Sequence, residues 1–334
     1  MRNVLEDYLQ YSLLHQNDWQ NTPPNFEINT HTSVELPACG VVVFRPVAAV
    51  ASTKHIVLSS GVHGNETAPI EICNDLINQI GTGDLRLSHN VMFIFGNLPA
   101  IAKQTRFIED NLNRLFTPNL EGEGLEIVRA RVIMAKINEF YANAQGERIH
   151  YDLHTAIRPS KNEKFAVYPY LHGKAHKKQQ LQFMSDCGVN TILLSQTTTT
   201  TFSYFSSRYH QADAFTVELG QVKPFGENDM SKFADASRML TKLISNETLE
   251  LTPFADCPLQ IYTVNQVINK NKDDFKLHFT DDVSNFSDFN KGDILASESG
   301  MEYKAQQTGE AIVFPNAKVE IGQRALLTVV PCEL

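Results

Sequence analysis

Short apolar runs alternate with segments of helical spacing through the first 250 residues, and this alternation limits the fold more than any other feature. Runs rich in Val, Ile, Leu and Phe predict strands at 40–44, 55–60, 90–97, 148–154, 165–169, 190–195 and 214–220. Apolar residues recurring every third or fourth position predict helices at 67–80, 124–143 and 229–246. Several strands look buried on both faces, so the pattern indicates an α/β domain with a mainly parallel or mixed sheet.

The chain changes character near residues 252–258, TPFADCP. Beyond them, Asn, Asp, Gly and Pro separate short alternating segments such as QIYTVNQVI, FKLHF, DILAS, AIVFP and RALLTVV. This pattern is typical of a small all-β domain. A chain of 334 residues has room for about two domains. We therefore predict a larger α/β domain over residues 1–250 and an all-β domain over residues 251–334.

The sequence does not decide the local structure of the run of threonines at 197–201. The segment FSYFSSR follows it directly. An edge strand and a mobile loop fit this pattern about equally well.

Charge and composition exclude several kinds of partner. The 29 basic and 38 acidic residues give a formal net charge of −9, so we expect no nucleic-acid ligand. No apolar stretch is long enough to span a membrane, and the first residues lack the basic and apolar regions of a signal peptide. The five cysteines are widely spaced and contain no C-x-x-C pair, which favours reduced thiols. We expect a cytoplasmic protein without a membrane partner.

His63 and Glu66 form the first candidate for a metal site. Imidazole and carboxylate are good Zn²⁺ ligands, and this pair follows a predicted strand and leads into a predicted helix. The spacing alone is weak evidence, because capped or solvated histidines show it too. An acid stands three residues after a histidine at His15/Asp18, His63/Glu66, His210/Asp213 and His278/Asp281. The second of these pairs ends a strand of buried character and has Gly61 and Gly64 beside it, which permit a tight turn.

His154 satisfies the same positional rule, because it closes the predicted strand in RIHYDLHTA. Ligands of α/β sheets bind beyond the carboxyl ends of the strands, where this histidine could meet His63 and Glu66. Asp152 lies two residues earlier on the same side of the strand and could accept a hydrogen bond from the ring. Two histidines and one carboxylate leave one tetrahedral position open, as in catalytic zinc sites. A hydrogen-bonded core histidine is the alternative.

Two further groups of polar residues are candidates for catalysis. Glu218 ends the predicted strand AFTVELG and projects toward the same edge of the sheet. A carboxylate there could take a proton from metal-activated water and return it to a leaving amine. A basic and amide cluster follows the strand VMFIFGN and comprises Arg106, Asn111, Asn113 and Arg114. Arginine is the natural bidentate partner of a carboxylate, and a surface ion pair is the alternative for both arginines.

Four ordered motifs resemble those of one enzyme family. They are H-G-N-E-T-A-P, N-L-N-R-L-F, D-L-H-T and V-E-L-G, at 63–69, 111–116, 152–155 and 217–220. Together they resemble the zinc-dependent, carboxypeptidase-like acylases of the succinylglutamate desuccinylase and aspartoacylase family. The resemblance extends to FPNAKVEIGQRALL near the C-terminus and so covers nearly the whole chain. It implies a zinc-carboxypeptidase-like catalytic domain, a mixed sheet flanked by helices, followed by the smaller all-β domain.

The resemblance also implies roles for individual residues. His63, Glu66 and His154 would bind one zinc ion per chain. Glu218 would be the general base and acid, and Arg106 would hold the developing oxyanion. The substrate carboxylates would be bound by Asn113, Arg114, Arg208 and Tyr303.

Asn111 is a departure from the aspartoacylase pattern, which has D-L-N-R where this chain has N-L-N-R. The lost acid removes a partner for a nearby arginine. We therefore expect no catalytic role for Asn111.

The function that the resemblance implies is hydrolysis of N-succinyl-L-glutamate to succinate and L-glutamate. This reaction is the last step of arginine breakdown by the succinyltransferase route. A small anionic acyl-amino acid is then the expected partner. Whether the chain forms a homo-oligomer stays an open question. Two alternatives also stay open: a related deacylase such as aspartoacylase acting on N-acetyl-aspartate, and a zinc-binding protein of the same fold without turnover.

Overall fold

The chain folds around a long mixed sheet that has helices on both faces. The computed structural model describes residues 2–17, 25–29, 31–48, 53–245 and 248–334. The helices in this part of the chain are α1 (Arg2–Glu6), α2 (Tyr8–His15), α3 (Thr67–Thr82), α4 (Leu98–Lys103), α5 (Leu125–Ala142), α6 (Lys178–Asp186), α7 (Phe202–His210) and α8 (Ala234–Ile244). The strands are β1 (Asn25–Asn29), β2 (Thr32–Ala38), β3 (Val41–Pro46), β4 (His55–Ser60), β5 (Asn90–Phe95), β6 (Arg148–Ala156), β7 (Phe165–Tyr168), β8 (Thr191–Leu194), β9 (Asp213–Gln221), β10 (Gln260–Asn269), β11 (Lys276–Leu277), β12 (Ser287–Phe289), β13 (Ile294–Glu298), β14 (Met301–Lys304), β15 (Glu310–Val313) and β16 (Arg324–Pro331). Short 3-10 helices occupy Leu112–Arg114, Met230–Phe233 and Phe254–Asp256.

Thirteen strands form one sheet in the order β1-β2-β3-β5-β4-β6-β9-β7-β8-β10-β16-β15-β12. Strands β5, β4, β6 and β9 run parallel to one another at its centre. Strands β3 and β7 border this centre in the antiparallel sense. A parallel centre covered by helices on both faces explains why these strands read as continuous apolar runs. The predicted α/β fold with a mixed sheet is therefore confirmed.

Successive residues of the central strands enter two hydrophobic cores on opposite faces of the sheet. On one face, Ile56 and Leu58 of β4 belong to the core that includes apolar residues of α3, α6 and α8. On the other face, Val57 belongs to the core that includes residues of α5 and α7. This alternation follows from the two-residue period of a strand. Because both faces are buried, the strand register is strongly specified, and so are the positions where the strands end.

The predicted strands and helices of the α/β domain correspond to observed elements whose ends differ by at most a few residues. The helix predicted at 229–246 is divided, because its first turn is a 3-10 helix that precedes α8. Its last residue lies outside the described part of the chain. The sequence patterns described above do not predict α1, α2, α4, α6, α7, β1 or β2.

The edge strand proposed as one alternative for residues 197–201 is wrong. These residues form an irregular segment that leads into α7. The carbonyl of Thr200 accepts a hydrogen bond from the amide of Phe116 at 3.1 Å. The segment therefore bonds to another loop and not to the edge of a sheet.

The C-terminal β domain continues the central sheet. Strand β10 pairs in parallel with β8, so the sheet crosses the predicted boundary at 250/251. Strands β11, β13 and β14 form a separate three-stranded sheet. An apolar cluster joins the two parts, and in it Phe165 and Leu193 pack with Phe286, Val313 and Leu327 of the β domain. The predicted all-β domain is confirmed, and its exact boundary stays a prediction.

Two further findings concern the expectations from composition. Among the described residues, no helix combines the length and the apolar content that crossing a membrane requires. All five cysteines are free thiols. Burial raises the pKa of the Cys73 thiol to about 12, so this side chain is protonated at neutral pH.

Candidate metal centre and active site

The turn from β4 into α3 carries the first two candidate ligands. Strand β4 ends at Ser60, and Gly61 has a φ of +64°, which residues with side chains rarely adopt. Gly64 leaves necessary space, because a Cβ there would lie 2.1 Å from the backbone of Ala100 in α4. Glu66 stands at the N-cap of α3 but makes no capping hydrogen bond. Its carboxylate is therefore available to other groups.

The buried Glu66 carboxylate lies at the centre of the site. Its Oε1 lies 2.8 Å from Nδ1 of His63 and 2.9 Å from Nη1 of Arg106. Its Oε2 lies 2.8 Å from Nδ1 of His154 and accepts a hydrogen bond from the amide of Thr155 at 3.2 Å. The predicted ligands His63, Glu66 and His154 thus meet, and their ligand atoms all lie within 4.8 Å of one another.

Asp152 binds the other nitrogen of His154, as the sequence predicted. Nε2 of His154 lies 2.9 Å from Oδ2 of Asp152, and Ser59 donates to Oδ1 of Asp152 at 2.6 Å. Because Nε2–H donates to this carboxylate, Nδ1 of His154 is the nitrogen that remains for a metal. The hydrogen-bonded core histidine of this strand is His150, whose two ring nitrogens contact Ser59 at 2.8 Å and Ser206 at 2.7 Å.

Asn111 binds the other nitrogen of His63, a role that the sequence analysis missed. Oδ1 of Asn111 lies 2.9 Å from Nε2 of His63. Since an amide oxygen only accepts, Nε2 carries the proton and Nδ1 faces Glu66. The same oxygen accepts from the amide of Asn113 at 3.1 Å and caps the Leu112–Arg114 3-10 helix. Asn111 therefore orients a candidate ligand while it shapes its own loop.

The donor atoms of the cluster fit a divalent cation. Nδ1 of His63 is buried and has no hydrogen-bond partner, although Oε1 of Glu66 lies 2.8 Å away. The carboxylate oxygen therefore does not lie where an N–H donor would point. Buried polar atoms without partners are rare, and two imidazoles with one carboxylate are a usual zinc donor set. The arrangement fits a cation held by three ligands, which are Nδ1 of His63, the Glu66 carboxylate and Nδ1 of His154.

Strong charge interactions set the protonation of the cluster. Burial lowers the pKa of His63 to about 4, so this imidazole is neutral at pH 7, as a metal ligand must be. Burial alone raises the pKa of the Glu66 carboxyl, but His63 and His154 lower it by more, so it lies well below its usual range. Burial lowers the pKa of His154, but Asp152 and Glu66 raise it by more, to well above its usual value. A cation bound at Nδ1 would displace the proton that these carboxylates hold on His154.

Glu218 lies beside the cluster on the neighbouring strand. In the parallel pairing of β6 with β9, His154 and Glu218 are register partners, and such partners project from the same face of a sheet. The Glu218 residue is 7% exposed, and its Oε2 has no hydrogen-bond partner. Burial and then the charge of Glu66 raise the pKa of Glu218 to about 7. A carboxyl group with this pKa can both accept and donate a proton near neutral pH.

Glu126 holds the loop that carries the candidate arginines. It is fully buried in the first turn of α5. Its carboxylate accepts hydrogen bonds from the amides of Ile108, Glu109 and Asp110 and from the side chain of Asn97. The sequence analysis did not identify this residue, because an acid in the first turn of a helix is common without any further role.

The same loop carries three of the predicted residues, Arg106, Asn113 and Arg114. Arg106 pairs with Glu66, and Oδ1 of Asn113 accepts a hydrogen bond from the first amide of α7 at 2.9 Å. Nη1 of Arg114 donates to the carbonyl of Asn113 at 2.9 Å. The Arg114 residue is exposed to solvent, although protein atoms surround its guanidinium. Burial and then the charge of Arg106 lower the pKa of Arg114 to about 10, so it stays protonated at neutral pH.

Arg208 and Tyr303 are not brought to the cluster by any contact found among the described residues. Arg208 is an exposed residue of α7. The hydroxyl of Tyr303 donates to Glu298 at 2.6 Å and accepts from Asn271 at 3.2 Å, both within the β domain. Their contacts with a substrate carboxylate stay predictions.

Two family models match the chain. The model described as the succinylglutamate desuccinylase/aspartoacylase catalytic domain matches residues 52–244. The model described as the AstE/AspA barrel-sandwich hybrid domain matches residues 257–332. The predicted domain boundary at 250/251 falls between the two matches.

Relatives are similar to this chain over nearly its full length. A succinylglutamate desuccinylase of Pseudoalteromonas atlantica is 54% identical over 319 residues, which cover 93% of this chain and 91% of the relative. One of Shewanella denitrificans is 50% identical over 333 residues, which cover 97% and 95%. The crystal structure of succinylglutamate desuccinylase from Vibrio parahaemolyticus has a TM-score of 0.89 and 32% identity, covering 98% of this chain and 95% of that one.

Replacing Asn111 with alanine is expected to weaken the binding of a divalent cation by about 10- to 100-fold, because His63 loses the acceptor that fixes its ring. Competition for zinc with a chromophoric chelator measures this affinity. Asn111→Asp keeps an acceptor and should bind the cation at least as tightly as the unmodified protein. Asn143→Ala, at the exposed C-cap of α5, is the matched control. An unchanged zinc affinity in Asn111→Ala would contradict the role given to this residue.

Proposed function

This chain belongs to the succinylglutamate desuccinylase/aspartoacylase family, and we propose that it hydrolyses the amide bond of N-succinyl-L-glutamate to give succinate and L-glutamate. The observation that carries the proposal is the position of Glu218, a buried carboxyl group in register with the candidate ligand His154. The names of the relatives described above support the choice of substrate.

The proposal includes a zinc ion held by His63, Glu66 and His154. A zinc ion bound there would supply a Lewis acid that polarises the amide carbonyl and makes water more acidic. The donor set also accepts cobalt and manganese, so the choice of zinc rests on the family.

Glu218 moves the proton in this mechanism. Its carboxylate takes a proton from the attacking water, whose oxygen forms a bond to the succinyl carbonyl carbon. The C–N bond then breaks, and protonated Glu218 gives the proton to the glutamate nitrogen. A pKa of about 7 suits a group that must do both. Arg106, which pairs with Glu66, stands close enough to the cluster to stabilise the negative charge that develops on the carbonyl oxygen.

The substrate brings three carboxylates to a protein whose net charge is −9, so nearby cations must provide the attraction. Asn113 and Arg114 would bind one of these carboxylates at the rim of the site. Arg208 and Tyr303 are proposed for a second one. The reaction would complete arginine breakdown by the succinyltransferase route in the cytoplasm, a compartment that suits five free thiols.

Glu218→Gln is expected to lower kcat on N-succinyl-glutamate by about 100-fold or more, because the neutral amide cannot take the proton from water. The variant should retain stoichiometric zinc, since Glu218 is not among the candidate ligands. Steady-state kinetics together with metal analysis test both statements. Glu163→Gln removes an exposed acid and is the control for the loss of one negative charge. Full activity in Glu218→Gln would remove this residue from the mechanism.

The pH dependence of kcat/KM is expected to show an acidic limb that belongs to Glu218. The base must be ionised, so activity falls as the pH drops below the pKa of this group. Burial and the charge of Glu66 raise that pKa to about 7, and a bound cation would lower it, so the midpoint should lie at or below about 7. Profiles of the unmodified protein and of Glu218→Gln test this. The same acidic limb in the residual activity of the variant would count against the assignment.

Removal of the metal is expected to abolish hydrolysis. Glutamate release from N-succinyl-glutamate and aspartate release from N-acetyl-aspartate would be measured side by side, with zinc restored and with zinc chelated. Chelator-sensitive cleavage that prefers the succinyl substrate supports the proposal. A preference for N-acetyl-aspartate would keep the mechanism but change the substrate. Bound zinc without cleavage of either compound would favour a protein of this fold without turnover.

A further inference from the structure

Arg324 of the β domain lies at the junction with the catalytic domain. It is the first residue of β16, and its guanidinium stands over the ring of Phe314 at 5.6 Å from the centroid. The ring of Phe314 lies 5.6 Å from that of Phe165 in β7, measured between centroids. Phe165 is in turn the register partner of Glu218 in the pairing of β7 with β9. A short line of aromatic contacts therefore connects Arg324 to the strand that carries the proposed base.

Phe314, whose ring lies beneath the Arg324 guanidinium, has an unusual backbone conformation. Phe314 has a φ of +55°, which a bulky side chain rarely adopts. Its amide donates to Oδ1 of Asn285 at 2.9 Å, and this bond holds the conformation. The ring is thus fixed by the fold at the place where it supports the guanidinium.

Arg324 has no anionic partner in the part of the chain that the structure describes. Its Nε is buried without a hydrogen-bond partner. None of the ion pairs found among the described residues includes Arg324 or Arg114. A buried donor without an acceptor is unfavourable, and a stacked ring cannot satisfy the in-plane N–H groups of a guanidinium. An anion in that plane would.

Arg324 lies within electrostatic reach of Arg114. Burial and then the charge of Arg114 lower the pKa of Arg324 to about 9. Burial and then the charge of Arg106, which pairs with Glu66, lower the pKa of Arg114 in the same way. Arg114 thus lies within electrostatic reach of both Arg106 and Arg324, and Arg114 and Arg324 stay protonated at neutral pH. Neighbouring like charges need an anion to balance them.

We propose that Arg324 binds a carboxylate of the substrate together with Arg114, as a further substrate-binding residue of the β domain besides Tyr303. The proposal rests on the function proposed above, because the ligand is one of the three carboxylates of N-succinyl-glutamate. Two guanidiniums on one carboxylate give charge-assisted hydrogen bonds, which are roughly twice as strong as neutral ones.

Arg324→Met tests this role on the zinc-loaded protein. The change keeps apolar contact with Phe314 and removes the donors, so kcat/KM on N-succinyl-glutamate should fall about 10- to 100-fold, mainly through KM. Arg324→Lys keeps the charge without the planar fork and should recover part of the loss. Arg238→Met removes an exposed arginine of α8 and is the matched control for charge. Bound zinc and the melting temperature establish that each variant is folded.

Substrate analogues separate binding from a structural role. Three analogues each replace one carboxylate: N-butyryl-glutamate, N-succinyl-glutamine and the α-carboxamide of N-succinyl-glutamate. Arg324→Met should have little effect on the one analogue that lacks the carboxylate bound by Arg324, and its full effect on the other two. That pattern identifies the carboxylate and supports the proposal. An equal loss of kcat/KM on all substrates would show that Arg324 has a structural role. No loss of kcat/KM on any substrate would show that Arg324 does not contribute to the reaction. Either result overturns the proposal.

A binding measurement tests the role of Arg324 separately from the proposed hydrolysis of N-succinyl-glutamate. Titration of the zinc-loaded protein with glutarate is expected to show an affinity that falls about tenfold or more in Arg324→Met. If the unmodified protein cleaves N-succinyl-glutamate but the variant binds glutarate unchanged, the role of Arg324 fails and the proposed function stands. If the unmodified protein cleaves nothing, the proposed function fails, and the glutarate titration alone decides whether Arg324 binds carboxylates.

Discussion

The site depends on the burial of one carboxylate, that of Glu66. A buried charge is unfavourable unless paired groups surround it, and here the partners are His154, Arg106 and the amide of Thr155. Glu66 belongs to the β4–α3 turn, and its partners belong to β6 and to the loop after α4. Satisfying one acid therefore fixes three parts of the chain relative to one another. The same contacts hold the donor atoms in place before any cation arrives, which reduces the reorganisation needed on binding.

Strand order explains how so few residues can form the site. Strands β4, β6 and β9 are consecutive neighbours and parallel, so their carboxyl ends lie at one edge of the sheet. His63 follows the first strand, His154 lies near the end of the second, and Glu218 lies near the end of the third. Cores on both faces fix these strands, and a rigid scaffold holds catalytic groups more precisely than a loop can. The loop that supplies Arg106 needs its own support, which Glu126 provides from α5.

The sequence predicts the elements and residues that a local pattern defines. It does not predict contacts that form only when distant segments pack together. The strand at 55–60 is predicted with its exact bounds, because an apolar run between Lys54 and Gly61 suffices to define it. Helix α7 was missed, because FSYFSSRYH has few strong helix formers, and the helix is stabilised by the burial of Phe202 and Phe205. The candidate ligands follow from short motifs. The contacts of Asn111 with His63 and of Glu126 with the loop after α4 join separate segments, and no local pattern records such pairings.

The charges near the site resolve an apparent conflict between an acidic protein and an anionic substrate. At physiological ionic strength the field of distant surface charges is screened within about 8 Å, so the net charge of −9 has little influence inside a cleft. A few nearby cations surrounded by protein act more strongly, because the local dielectric constant is lower there. Arg106 is neutralised by Glu66, whereas no such pair is found for Arg114 or Arg324 in the described part of the chain. The uncompensated positive charge therefore lies on Arg114 of the catalytic domain and Arg324 of the β domain, where the proposed binding of a substrate carboxylate would balance it.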